Sequence, residues 1–255
     1  MTKTTDPVRP VVDIIGDSHT MFFMADFNSV RRMGINRRLA FVPRVQQINA
    51  ASLTGVRKYA STLRLKELIE TTAIDASHLI IALGQVDLEL GFYYRQVVKG
   101  EEWTTADYIA FLAEIYAGLL EGIKDAPCQV ALKGVNLTVL STSLFSRKYL
   151  SRILTEKTPD DRKAAEQKLS ELMLTEREQN KFHLDFNHRI TALADQFGIR
   201  YFDINDKIAE RGPAGRIRQP MRLATSHQPI RFDHHLAPTI HVHRVHLDAV
   251  QTVFL

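Results

Sequence analysis

The chain's first candidate for chemistry is a serine. It sits in Val11-Val12-Asp13-Ile14-Ile15-Gly16-Asp17-Ser18-His19-Thr20. A short apolar run that stops at a glycine predicts a buried strand turning into a helix. The Ser18 hydroxyl would then lie at the C-terminal edge of a sheet and at a helix N-terminus, where unpaired backbone N–H groups favour negative charge. That place suits a nucleophile, because the oxyanion formed on attack needs donors already positioned. Asp17 is expected to cap the turn by accepting backbone N–H bonds. A second chemistry is suggested by the tail, which holds His227, His234, His235, His241, His243 and His246, with His183 and His188 upstream. Imidazoles converging with Asp17 and Asp87 would make a metal site, as in a metal-dependent phosphoesterase. His241 and His243 would point about 200° apart on one helix, whereas His243 and His246 share a face.

These residues need a scaffold, and the apolar runs predict one. Val11–Ile15, Leu39–Val42, His78–Leu83, Val130–Leu140 and Gly198–Ile204 read as strands. Between them lie helical patterns: Arg57–Glu70 with Tyr59 and Leu63, a long helix capped by Thr104 or Thr105, Asn187–Phe197 ended by Gly198, and a last helix from Pro238. Strands alternating with helices predict a mainly parallel sheet covered on both faces, an α/β/α sandwich over a single domain, 1–255. In such sheets, sites form beyond the carboxyl ends of the strands. One stretch departs from the alternation. Residues 146–178 are rich in Lys, Glu, Arg and Leu and predict one or two amphipathic helices inserted after a late strand. A solvated excursion, a lid over the site, or a contact making a homo-oligomer are the readings open for it.

Composition bounds the rest. The chain has 255 residues, 45% hydrophobic and 24% charged, as in an ordinary globular protein. No apolar run approaches a membrane span. The N-terminus shows no signal-peptide pattern, so a cytoplasmic location is expected. The single cysteine, Cys128, excludes an intrachain disulfide and reads as a buried thiol. The net charge is +4, with arginines gathered at Arg31, Arg32, Arg37 and Arg38 and at Arg211, Arg216, Arg218 and Arg222. Two basic loops near a site could hold an anion. They lack the interleaved aromatics of a nucleic-acid motif, so no nucleic-acid partner is inferred.

Four spaced pieces line up: Gly16-Asp17-Ser18-His19, Ala51-Ser52-Leu53-Thr54-Gly55, Gly84-Gln85-Val86-Asp87 and Asp233-His234-His235-Leu236-Ala237-Pro238. Their order and their positions after successive strands resemble the SGNH (GDSL-like) hydrolase superfamily across essentially the whole chain. The resemblance implies a three-layer, flavodoxin-like sandwich. It also implies a serine-dependent ester hydrolase or O-acyltransferase acting on an acylated carbohydrate or similar polar metabolite, with no cofactor. Carried over, Ser18 is the nucleophile, and the Ser18 and Gly55 N–H groups form two sides of the oxyanion hole. His235 is the general base, oriented by Asp233, with His234 and His241 as alternative bases. His19, Asp87 and Arg95 are the candidates for substrate contact. The physics agrees with these roles: a serine hydroxyl is a weak nucleophile until a base takes its proton, and the imidazole needs a partner to fix its tautomer. A glycine at position 55 allows close backbone approach to a reacting carbonyl, and equally suits an ordinary turn.

Two departures matter. Val86 stands where the superfamily usually has an asparagine donating to the oxyanion, so Gln85 becomes the candidate third donor. The superfamily spacing Asp-x-x-His is shortened here to Asp233-x-His235. If both changes abolish catalysis, the fold would serve as a glycan- or acyl-binding module.

Overall fold

The computed structural model describes residues 9–24, 34–57, 64–229 and 233–255. Arg31, Arg32, Tyr59 and Leu63 lie outside the described residues, as does the Arg37 side chain. Five strands form one sheet: β1 Val11–Gly16, β2 Val42–Gln47, β3 His78–Ala82, β4 Gln129–Lys133 and β5 Arg200–Phe202. Their order is β2-β1-β3-β4-β5, and every pairing is parallel. The helices are α1 Ile35–Arg38, α2 Leu53–Val56, α3 Leu65–Asp75, α4 Phe92–Val97, α5 Thr105–Ile123, α6 Leu144–Leu154, α7 Arg162–Leu172, α8 Glu176–Phe197, α9 Asn205–Ile208 and α10 Ile240–Phe254. Short 3₁₀ turns cover Ser18–Phe23, Pro159–Asp161 and Thr225–His227, and a π turn covers Asp87–Gly91.

Strand alternation sorts the core into two layers, because successive side chains point to opposite faces. Val12, Ile14, Ile80 and Ala131 pack with Phe23, Leu247, Val250 and Phe254, so α10 covers that face. Ile15, Leu79, Ile81, Val130 and Leu132 pack with α3, α5 and α8 on the other. This is the expected α/β/α sandwich. Near-continuous apolar strands are required because both faces are buried. Gly16 is fixed by the sheet itself. A Cβ there would meet the Ala82 carbonyl oxygen of β3 at 2.1 Å, so the strand carrying the site can end only in glycine.

Several boundaries differ from the sequence expectation. The second strand is not Leu39–Val42 but Val42–Gln47, an edge strand where Pro43 is tolerated. Its Arg44 faces Asp13 in register and forms a bidentate ion pair at 2.5 and 2.7 Å. The fourth strand ends at Lys133 rather than Leu140. Four consecutive N–H groups, from Val135, Asn136, Leu137 and Thr138, instead donate to the buried amide side chains of Asn187, Gln85, Asn205 and Asn180. Side-chain carbonyls thus replace the ladder and leave this apolar segment buried but irregular. Helix α8 begins at Glu176, eleven residues before the expected start, under a capping box of Thr175 and Glu178. The last helix starts at Ile240, because Thr239 rather than Pro238 caps it, accepting from Val242 N. Thr104 caps α5, and Gly198 ends α8 in the left-handed conformation.

Residues 146–178 hold most of α6, all of α7 and the first turn of α8. This segment is amphipathic and packed rather than detached. Leu150, Leu154, Ala165 and Leu169 join the main core, while Leu144 and Phe145 at the head of α6 are exposed.

Candidate active site

Ser18 stands two residues past the end of β1, at the first position of a 3₁₀ turn. Asp17 caps that turn, accepting the His19 N–H at 2.8 Å. The hydroxyl is half-buried, and His235 Nε2 lies 2.6 Å from it. On the far side of the ring, His235 Nδ1 lies 2.9 Å from Asp233 Oδ2. The loop before α10 therefore brings both residues to the end of β1, across 217 positions of sequence. Asp233 is half-exposed, and its carboxyl is held far below the ordinary range by hydrogen bonds from His234 and then His235.

The other oxygen of Asp233 is also engaged. Oδ1 accepts from the His234 N–H at 2.6 Å and from the Tyr149 hydroxyl at 3.0 Å. Tyr149 also meets His234 Nδ1 in a very short contact. It comes from α6, within the helical excursion, and sequence reading did not single it out. Arg152, one turn on, lies over the Tyr149 ring at 5.6 Å.

The His19 ring centroid lies 5.0 Å from that of His234 and 4.4 Å from that of His235. His19 is buried, not presented as a substrate contact. Its Nδ1 lies 2.9 Å from Asp17 Oδ1, and its Nε2 lies 3.3 Å from the His234 carbonyl oxygen and 4.0 Å from Glu89 Oε2. Burial pushes its pKa down to about 4, against the pull of Asp17. Burial works to raise Asp17, but the contacts to His19 overcome it and hold the carboxyl below its usual value. Glu89 and Lys133 are two further buried ionisable groups that spacing gave no reason to select. Burial raises Glu89 to about 8 and lowers Lys133 to about 8. Lys133 donates to the Gly134 carbonyl and to Asn136 Oδ1 at 2.7 and 2.8 Å.

The other candidate residues have partners within the fold. Gly55 does not present a free N–H. It donates to Ser52 Oγ and to Ser52 O, each at 3.1 Å, as the cap of α2. Gln85 is buried, and its Nε2 donates to Glu89 Oε1 at 2.8 Å and to Asn136 O at 3.4 Å. Asp87 is fully buried and holds the α2 loop, accepting Leu53 N at 2.7 Å and Thr54 N at 3.2 Å. It has no surface with which to meet a substrate. Arg95 pairs with Glu101 at 2.6 Å and lies over Phe111 and Trp103. His241 is exposed, stacked on His227 with ring centroids 5.0 Å apart, and its Nε2 faces the Lys207 carbonyl oxygen. It does not meet Ser18. His234 directs its Nδ1 to Tyr149 and Asp233, not to the serine.

The second basic loop is tied internally. Arg218 and Arg222 both pair with Glu210, and Arg211 donates to the carbonyls of Gly215 and Asp206. Of the histidines weighed for a metal, His243 and His246 are buried against Phe22. Cys128 is half-buried, and desolvation raises its thiol pKa.

The fold matches solved structures. A GDSL-like lipase from Bacteroides thetaiotaomicron VPI-5482 superposes with a TM-score of 0.50 over 96% of this chain and 87% of that one. The chain shares that protein's fold. A lipase from a goat rumen metagenome gives a TM-score of 0.52 over 96% of this chain and 97% of its own. Each is 12% identical to this sequence, so the likeness concerns the fold alone. No protein-family model matches the sequence. No curated protein matches it either. No helix among the described residues is long and apolar enough to cross a membrane.

Proposed function

We propose that this chain is a serine-dependent ester hydrolase or O-acyltransferase of the SGNH type, acting on an acylated carbohydrate or similar polar metabolite. One observation carries the reading: Ser18 Oγ, His235 and Asp233 form a continuous hydrogen-bonded chain at 2.6 and 2.9 Å. His235 Nε2 takes the Ser18 proton as the hydroxyl attacks the ester carbonyl. Asp233 accepts a hydrogen bond from Nδ1–H throughout, which fixes the tautomer and favours the imidazolium that forms. The tetrahedral oxyanion meets the Ser18 N–H, which has no acceptor within its own turn. Collapse expels the alcohol, protonated by His235, and leaves an acyl group on Ser18. Water or an acceptor hydroxyl then takes that acyl group by the same route in reverse.

The donors assigned by resemblance constrain the rate. Gly55 and Gln85 are committed to internal partners, and Val86 has no side-chain donor. One missing oxyanion donor costs about 2.7–4 kcal/mol of transition-state stabilisation. A slow hydrolase, or one that completes its donor set only when substrate binds, follows from this. That same shortfall favours the second reading, a glycan- or acyl-binding module on this fold.

Labelling with a fluorophosphonate, followed by mapping of the modified residue, separates the two. An enzyme becomes labelled at Ser18 and turns over acetylated sugars. Ser18→Ala abolishes both. An unlabelled Ser18 in protein that still turns over esters would remove the reading. Absence of turnover on any ester, with retained glycan binding, would favour the module.

A further inference from the structure

The loop that carries His235 brings a second imidazole with it, and His19 supplies a third. One ring nitrogen from each of His19, His234 and His235 lies within 4.8 Å of the other two. The rings are close, with centroids 4.1 to 5.0 Å apart. Their other nitrogens are already accounted for. His19 Nδ1 faces Asp17, His235 Nδ1 faces Asp233 Oδ2, and His234 Nδ1 faces Asp233 Oδ1 at 3.1 Å. Carboxylates on Nδ1 orient each ring and leave Nε2 of His234 and His235 as lone-pair donors, the arrangement that supports imidazoles bound to a metal, while His19 Nε2 must give up its contact with the His234 carbonyl oxygen at 3.3 Å to join them. Of the three Nε2 atoms, that of His234 is buried with no hydrogen-bond partner. A buried polar atom left unpaired costs free energy, and a ligand that pairs it recovers that cost.

We propose that His19, His234 and His235 form a site for a borderline divalent transition ion, typified by Zn²⁺, and that its occupation switches off chemistry at Ser18. Three imidazoles with one position left open are a known zinc donor set, with Zn–N distances of about 2.0–2.1 Å. Reaching them requires the rings to close together from their present spacing. Ser18 Oγ, beside His235 Nε2, is the nearest candidate for the open position. An ion that takes the His235 Nε2 lone pair removes the base, so occupation and proton abstraction exclude each other. Asp17, Asp233 and Tyr149 act here as positioning residues. The site itself is independent of the serine reading, whereas its inhibitory consequence rests on it.

The test uses the full chain without a histidine tag and Zn²⁺ alone as the probe. Calorimetry and equilibrium dialysis are run on the unmodified protein and on Ser18→Ala, His234→Ala and His19→Gln. In parallel, fluorophosphonate labelling is timed with and without Zn²⁺ and after chelation. The expected result is one Zn²⁺ per chain in both the unmodified protein and Ser18→Ala. Affinity should fall at least about tenfold in His234→Ala and in His19→Gln. Labelling should fall in proportion to occupancy and recover on chelation. His234 is the less buried of the two varied histidines, so His234→Ala keeps the test open if His19→Gln fails to fold. No stoichiometric binding, or binding that both histidine variants leave intact, would overturn the site. Labelling that continues at full rate, or turnover that rises with Zn²⁺, would overturn the inhibition. If the metal-free protein is never labelled at Ser18 yet binds Zn²⁺ through these histidines, the serine reading fails and the site stands.

Discussion

The Tyr149 hydroxyl donates to Asp233 Oδ1 at 3.0 Å, while Asp233 Oδ2 faces His235. The helical excursion therefore reaches the carboxylate that orients the candidate base. Hydrogen bonds to charged groups contribute about 1.5–3 kcal/mol. Tyr149→Phe keeps the ring and removes the hydroxyl, with its bond to Asp233 and its contact with His234 Nδ1. It should lower kcat about tenfold or more with KM little changed, and it should slow fluorophosphonate labelling of Ser18 to match. Steady-state kinetics and labelling rates on the same preparation check this. An unchanged kcat would mean that Asp233 is held well enough by the His234 N–H alone.

Asp233→Asn retains the shape of the loop but offers His235 an amide in place of a carboxylate. Two outcomes follow from the geometry: the imidazolium loses its counter-charge, and the tautomer is no longer fixed. A fall in kcat on the order of 10³–10⁴ is expected, with folding intact by circular dichroism. Replacing the exposed His241 by alanine should leave kcat unchanged, since its ring stacks on His227 away from Ser18. This pair of variants separates His241 from the two histidines that face Asp233.

How much of this was legible in the sequence depends on the range of each interaction. Gly16 and Ser18 could be read because an apolar run, a glycine and a capping aspartate are neighbours in the chain. Asp233 and His235 could be read because the pair is two residues apart. Tyr149 could not, since nothing local distinguishes it from any aromatic on an amphipathic helix. The partners of Gly55 and Asp87 were not legible for the same reason. The Gly55 N–H is taken by Ser52, and the two N–H groups before it, of Leu53 and Thr54, are taken by Asp87 from 34 and 33 residues away. The irregular 134–140 segment looked like strand because side-chain amides on distant elements, not sheet partners, satisfy it.

Asp87→Ala leaves the Leu53 and Thr54 N–H groups without their acceptors inside a loop beside the site. Each buried unsatisfied donor costs about 1–3 kcal/mol. The variant should lose roughly 2–4 kcal/mol of stability in urea unfolding. Its activity should fall by less than that of Asp233→Asn, because Asp87 is a holder of backbone and not a partner of His235.

Glu89 gives the fold a pH dependence whose sign can be stated. Burial raises its pKa from 4.5 to about 8, so the folded chain keeps a proton that the unfolded chain has lost. Stability from this group is full below the unfolded value and falls as pH rises, levelling off above about 8. The loss between about pH 6 and about pH 8 should be roughly 2 kcal/mol. Glu89→Gln retains an oxygen for the Gln85 and Thr138 donors at 2.8 and 3.1 Å and carries no charge at any pH. Denaturant unfolding at stepped pH should show the variant with a flatter profile and the greater stability at the alkaline end.

Val86 offers the opposite kind of test, a gain. It opens the π turn at Asp87–Gly91 and is part-exposed, beside a Gln85 whose amide is spent on Glu89 and Asn136. The catalytic reading leaves the Ser18 N–H as the donor at hand, so the transition state is under-stabilised. Val86→Asn places an amide where the SGNH hydrolases that the sequence resembles usually carry one. If that position faces the oxyanion, kcat should rise by a factor on the order of 10² at similar KM, since one donor is worth about 2.7–4 kcal/mol. Steady-state kinetics on an acetylated sugar reads this directly. A kcat that does not move would show that another group already fills the place, and the α2 loop released from Ser52 would be the first to examine, through Ser52→Ala.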